Sequence, residues 1–292
     1  MLFLSLTFLL ASLATDTTGT AVVSDTTEAW QHAVNVRLGG SQVGFQNWNE
    51  GGLNALSAFA GFEVNSKRRQ EHILTKYDVR LRIGLVKQDT LDVRKSEDIL
   101  LATGSHQLVG DAEGPFATLQ PIIAYGIRTQ FAPGFNFKRN PYDDGRPLPV
   151  RVSGFFAPAE LTQSLGLTYD PNSWYTQRLG LGSKITVVSE RRYRPLYAMR
   201  PNQPIRFEVG IESVSEMNKE VVENVTYKGT LRLFASFNRP DTPDLLMENF
   251  INMKVNEWLS VTGELVLLYD RDQRAELQMR QSLSVGIAYR II

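Results

Sequence analysis

From 277 to 291 the chain alternates strictly. Leu277, Met279, Leu283, Val285, Ile287, Tyr289 and Ile291 share one face, broken by Gln281, while Gln278, Arg280, Ser282, Ser284, Gly286, Ala288 and Arg290 share the other. Period two is the strand signature, and the length is the constraint. Strands of globular proteins run about five or six residues, whereas one that crosses a bilayer needs about nine to eleven. A strand this long with one apolar face calls for a hydrocarbon neighbour. The same alternation recurs over 73–86, 205–212, 224–237 and 259–270.

The pattern predicts strands at 30–38, 53–64, 72–87, 95–109, 116–131, 149–169, 174–189, 203–214, 220–237, 244–255, 258–271 and 277–291. No window holds enough consecutive apolar residues for a spanning helix, which needs about 20. Backbone groups in lipid must then be satisfied by a closed sheet. The fold class read here is all-β: an antiparallel transmembrane β-barrel of about twelve strands, with short periplasmic turns and long external loops. Tight turns at 110–115, 170–173 and 255–257 fall on one side; longer links at 39–52, 132–148 and 190–202 fall on the other. In 149–169, Pro158 interrupts the run and the apolar phase switches near 153–156; a bulge and a split into two strands both fit. Trp30, Tyr169, Trp174, Trp258 and Tyr289 fall at the periplasmic strand ends, the headgroup level that Trp and Tyr favour.

Residues 2–14, LFLSLTFLLASLA, form an apolar run of signal-peptide length followed by small residues. The expected organisation is a signal peptide over 1–14, a flexible periplasmic segment over 15–29 and the barrel over 30–292. Lys plus Arg and Asp plus Glu both number 31, so no charge excess points to nucleic acid. The absence of cysteine excludes thiol catalysis and thiolate metal sites.

Four short segments carry a resemblance. They are Gln46-Asn47-Trp48-Asn49-Glu50-Gly51-Gly52, Thr129-Gln130-Phe131-Ala132-Pro133-Gly134-Phe135, Leu165-Gly166-Leu167-Thr168-Tyr169, and Met253-Lys254-Val255-Asn256 with Leu268-Tyr269-Asp270. Together they resemble the domain of unknown function 3078 family, exported outer-membrane proteins of the Bacteroidota and relatives, over roughly 30–292. The resemblance implies location and architecture and carries no activity to transfer. Ser284, Gly286, Tyr289 and Ile291 further resemble the C-terminal signal read by the barrel-assembly machinery, with Ile291-Ile292 in place of the usual terminal aromatic residue.

Chemistry is sparse. His32, His72 and His106 lack ligand spacing, so no metal site is expected. No Gly-x-Ser-x-Gly occurs, and Ser105-His106 are strand neighbours that point to opposite faces. Asp143-Asp144 and Asp270-Arg271-Asp272 lack calcium-loop spacing and read as solvated loops. No catalytic residue and no cofactor is assigned. The loop motif Asn47, Trp48, Glu50, Gly51 and Gly52 reads first as a structural turn. If the apolar faces meet lipid, the inward residues are Arg37, Lys76, Asp78, Arg80, Arg82, Arg128, Arg178, Lys184, Arg206, Glu208, Lys228, Arg232, Glu248, Glu264 and Arg280, with Glu212 and Lys254. That set leans basic. The function read from it is a small channel or structural and binding barrel, with outer-membrane lipid around it and a small anionic solute as its cargo. An outer-membrane enzyme acting on lipid or glycan, and a soluble β-barrel binding protein, are the alternatives.

Overall fold

The structure is a computed structural model that describes residues 29–43, 54–89, 91–110, 117–272 and 274–290. The signal-peptide reading and the Asn47–Gly52 motif lie outside the described residues.

Twelve long strands close into an antiparallel barrel: β1 (Gln31–Val43), β2 (Ala55–Gln70), β3 (Ile73–Gln88), β4 (Arg94–Leu108), β5 (Gln120–Thr129), β8 (Ala159–Asn172), β9 (Tyr175–Val187), β10 (Ile205–Val222), β11 (Val225–Ser236), β12 (Asp244–Lys254), β13 (Leu259–Asp270) and β14 (Arg274–Arg290). Each pairs with its neighbours in order, and β1 meets β14 through Asn35↔Arg290 to Gly39↔Gly286. Between β5 and β8 the chain leaves the wall and forms a small separate hairpin, β6 (Gly134–Asn136) with β7 (Val150–Ser153).

The alternation explains the wall. Outward positions such as Leu165, Leu181, Phe207, Ile211, Leu283 and Val285 are exposed apolar side chains. Inward positions such as Lys184, Arg206, Glu208, Glu212, Glu248 and Glu264 are buried charges. This inverts the usual globular pattern and matches a barrel with a polar interior and an apolar coat. Turns 71–72, 173–174, 223–224 and 255–258 lie at one end, together with the link 109–119. The long links 130–158 and 188–204 lie at the other, with the shorter 89–93, 237–243 and 271–273.

β1 and β2 run on to Val43 and Gln70, past the expected ends at 38 and 64, and two larger differences from the sequence reading stand beside them. The segment 149–169 is split: β7 belongs to the external hairpin, and the chain reverses at Phe156, whose φ is +49°, before β8 begins. The expected break near 215–219 is absent, because β10 runs on to Val222. There the outward residues are Ser213 and Ser215, which hydrogen-bond Gln177 of β9, so the apolar signal lapses while the strand continues.

Gly166 and Gly180 face each other on the inward side of the β8–β9 ladder; a methyl group on Gly166 would strike the Leu179 carbonyl, and one on Gly180 the Leu165 carbonyl. Close backbone approach of this kind fixes glycine in a strand. Gly180→Val is expected to cut the refolded fraction several-fold, read as loss of the heat-modifiable band on unboiled gels.

Candidate functional site: the barrel lumen

The lumen is built from the inward row of every strand. Arg37 faces Gly61 and Gly61 faces Arg82 across two ladders. Lys76, Asp78, Arg80, Arg128, Lys184, Lys228, Arg232 and Glu248 line one continuous cavity of about 760 Å³. Arg178 lines a smaller pocket beside it, and Arg280 another of about 350 Å³ near the external end. Arg206, Glu208 and Glu264 are buried among partners.

Ion pairs cross the lumen and draw opposite walls together. Glu264 of β13 receives Arg82 of β3 (2.8 Å) and Arg280 of β14 (2.5 Å), and Arg280 also reaches Glu97 of β4 (2.6 Å). Arg82 lies 3.2 Å from Glu97, completing a four-residue knot. Arg128 of β5 meets Glu248 of β12 at 3.7 Å. Lys184 of β9 bonds Asp244 of β12 and lies 3.5 Å from both Asp270 and Glu208. Arg178 and Arg232 share Glu212. Charges this buried need such partners, because an unpaired one costs several kcal/mol, about 3–5 when one partner of a pair is removed.

The main cavity carries no basic excess. The 760 Å³ cavity is lined by six bases, Lys76, Arg80, Arg128, Lys184, Lys228 and Arg232. Nine acids line it too: Glu63, Asp78, Asp98, Glu160, Glu212, Glu216, Asp244, Glu248 and Asp270. Of the acids absent from the sequence reading, Glu216 lies beyond 214, Glu160 in the split segment, and Asp244 and Asp270 at strand ends, while Glu63 and Asp98 lie within expected strands. Asp270 and Asp272, read as solvated, are buried; Asp272 holds Arg206 (3.1 Å) and Arg239 (2.6 Å). An apolar wall of Ile99, Leu101, Leu246, Phe250 and Leu268 faces the charges, with the Arg80 guanidinium over the Phe250 ring at 5.6 Å.

Exposure grades along the axis. Asp78, Glu216 and Lys228, toward the short turns, are solvent-exposed, while Lys184, Arg206, Glu208, Asp270 and Asp272, toward the long loops, are buried. The loops make that difference. Asp98, at the external rim of β4, accepts the backbone N–H of Phe131 (3.1 Å) and Ala132 (2.7 Å), and Lys95 donates to Asp98, to Gln130 and to the Ala132 carbonyl. Thr129 and Gln130 tie down the far end of the same loop through the carbonyls of Pro158 and Ala157. The link 188–204, with a short 3-10 turn at Arg191–Tyr197, packs Val188, Tyr193 and Met199 on Ala157, with Tyr142 and Tyr197 against them. Gln130, Ser153, Pro158 and Tyr197 thus line the outer end of the cavity.

Burial, with Glu160 next, holds the Tyr197 proton far more tightly than an ordinary phenol. A proton bound more tightly in the folded state stabilises that state below the unfolded tyrosine value of about 10, and the contribution fades as pH rises beyond it. The cap is therefore expected to loosen above about pH 10, with faster proteolysis of 130–158 as the readout.

The aromatic residues mark the short-turn end. Trp30 precedes β1, Tyr169 is near the end of β8, and Trp258 closes the turn into β13; Tyr289 pairs with Val36 near the end of β14. Trp174 differs. It sits in the turn into β9, lines the cavity mouth and carries the Lys219 ammonium 4.6 Å from its ring. His32 and His106, unconnected in the sequence, join one outward aromatic stripe, and Ser105 faces inward. Among the described residues no group of three His, Asp or Glu side chains is set to hold a metal ion.

Comparison with known families matches residues 40–135 to the family described as protein of unknown function DUF3078. The resemblance read from the sequence holds over those residues. The DUF3078 match runs from Gly40 in β1 to Phe135 in β6, and so contains the Asn47–Gly52 and Thr129–Phe135 segments but neither of the two later ones. No curated protein matches the chain. Among solved structures, the translocator domain of the autotransporter NalP from Neisseria meningitidis is 11% identical, with 89% of this chain and 87% of that one covered and a TM-score of 0.38. An outer membrane channel from Pseudomonas putida F1 is 10% identical over 95% and 99%, also with a TM-score of 0.38. OmpF of Salmonella typhi is 9% identical over 92% and 99%, with a TM-score of 0.30. The barrel itself is established by the strand ladders of this chain.

Proposed function

We propose that this protein is a bacterial outer-membrane barrel whose lumen is a polar chamber open toward the periplasm and capped on the outside by its own loops. Residues 30–292 form the barrel, exported by the leading segment and inserted through the barrel-assembly machinery at the C-terminal strand. The apolar coat supports the membrane setting, since exposed apolar patches beyond a few hundred Å² are rare on soluble proteins. The observation that carries the chamber is the axial gradient: wet charges at the short-turn end, buried ion pairs and tethered loops at the other. Such a lumen conducts weakly until the cap or the Arg82–Glu264–Arg280–Glu97 knot gives way. Nine acids against six bases in the cavity favour small cations over the anionic solute suggested by the sequence.

The test is a planar bilayer recording of the refolded protein under a salt gradient. Small steps with a cation-selective reversal potential are expected. Large, steady, anion-selective steps would overturn both the cap and the charge assignment.

A further inference from the structure

The outer surface near the short turns is not uniform. On β1–β5 a stripe of rings crosses the wall. Trp30 stacks on His32 (6.1 Å between centroids) and on Tyr77 (5.6 Å); Tyr77 meets His106 edge-on at 6.0 Å, and His106 meets Tyr125 at 5.9 Å. Small residues beneath the stripe make room for it. Ser66 separates His32 from Tyr77 in the register, and the Tyr125 ring lies over Gly104, where a Cβ would come within 2.6 Å of it. Hydrogen bonds fix the polar edges: His32 Nδ1 with Ser66 Oγ (2.9 Å), His106 Nδ1 with Thr75 Oγ1 (3.1 Å) and Nε2 with Tyr125 OH (3.2 Å).

The basic side chain of this stripe is Arg68, whose guanidinium sits 5.8 Å from the Trp30 ring. A row of aromatic rings beside an arginine, level with the headgroups, is complementary to a phosphodiester with acyl chains above it. Arg offers paired donors to phosphate oxygens, and indole and phenol rings sit at the headgroup boundary.

We propose that this face is a binding site for an anionic phospholipid of the periplasmic leaflet, with its phosphate at Arg68 and His32 and its glycerol end against Trp30 and Tyr77. The inference rests on the membrane-spanning reading above, and its test separates the two.

Trp48, Trp174 and Trp258 are replaced by Phe, leaving Trp30 as sole fluorophore, and the barrel is reconstituted in phosphatidylcholine vesicles doped with brominated lipid. Brominated phosphatidylglycerol is expected to quench Trp30 at least twofold more than brominated phosphatidylcholine at equal mole fraction. Arg68→Ala should abolish the difference and Arg68→Lys retain part of it. Equal quenching by both lipids would overturn the site while leaving the barrel in the membrane. No quenching by either would overturn the membrane reading as well. A preference that survives Arg68→Ala would overturn the assignment of the phosphate to this residue.

Discussion

Glu264→Gln is expected to lower the unfolding free energy of the barrel by about 3–5 kcal/mol, the cost of removing one member of a buried ion pair. The Glu264 side chain is 2% exposed and accepts both Arg82 and Arg280. The amide keeps the volume but leaves two guanidiniums facing each other across a narrow lumen with Glu97 as their one remaining carboxylate in the knot. Urea unfolding in detergent micelles, followed by tryptophan fluorescence, measures the loss. The double replacement Arg82→Met with Glu264→Leu should recover most of it, since an apolar pair of similar volume removes both the charge and its need for a partner. Glu264→Gln with wild-type stability would mean that the knot is hydrated and loose, and the narrow-lumen account would fail. The same variant should raise single-channel conductance, because the knot joins β13 and β14 to β3 and β4 across the lumen.

The periodicity of the chain made the wall legible. In β3, β11, β13 and β14 the apolar row faces out and the polar row faces in, so strand parity alone placed Arg80, Arg82, Arg232 and Arg280 in the lumen. The partners were not legible. Arg82 and Glu264 are 182 residues apart, and nothing local ties them. Two of the missed acids have local causes. Glu216 falls between the expected strands 203–214 and 220–237, where outward Ser213 and Ser215 interrupt the apolar signal, and Glu160 falls in the expected strand 149–169 just past the reversal at Phe156, where the inward parity changes. The cap was illegible for a related reason: Asp98 and Ala132 meet because β4 and β5 pair and place their outer ends together. The histidines illustrate register most directly. His32 and His106 share one surface because three ladders bring β1 to β4 at one level, and spacing along the chain encodes none of that.

Asp98→Ala is expected to open the outer mouth and raise single-channel conductance several-fold. Its side chain is 1% exposed and receives three donors: the Phe131 and Ala132 amides and the Lys95 ammonium. Without it, both amides lose a charged acceptor, each such bond being worth about 1.5–3 kcal/mol, and Lys95 keeps Gln130 and the Ala132 carbonyl as its partners. The loop 130–158 then has its later anchors, Thr129 to Pro158 and Gln130 to Ala157, and on the rim of β4 only the Lys95 bonds. Limited proteolysis of intact vesicles should cut within 130–158 in this variant and spare the parent. Asp144→Ala in the same loop is the control: Asp144 pairs with Arg146 on the exposed side at 2.6 Å, where water screens the pair and it contributes little. It should leave conductance and cleavage unchanged. If Asp98→Ala frees the loop to protease without raising conductance, the barrier lies at the Glu264 knot. If neither changes, the loop is held by the Ala157–Val188–Tyr193–Met199 packing, and the rim tether is dispensable.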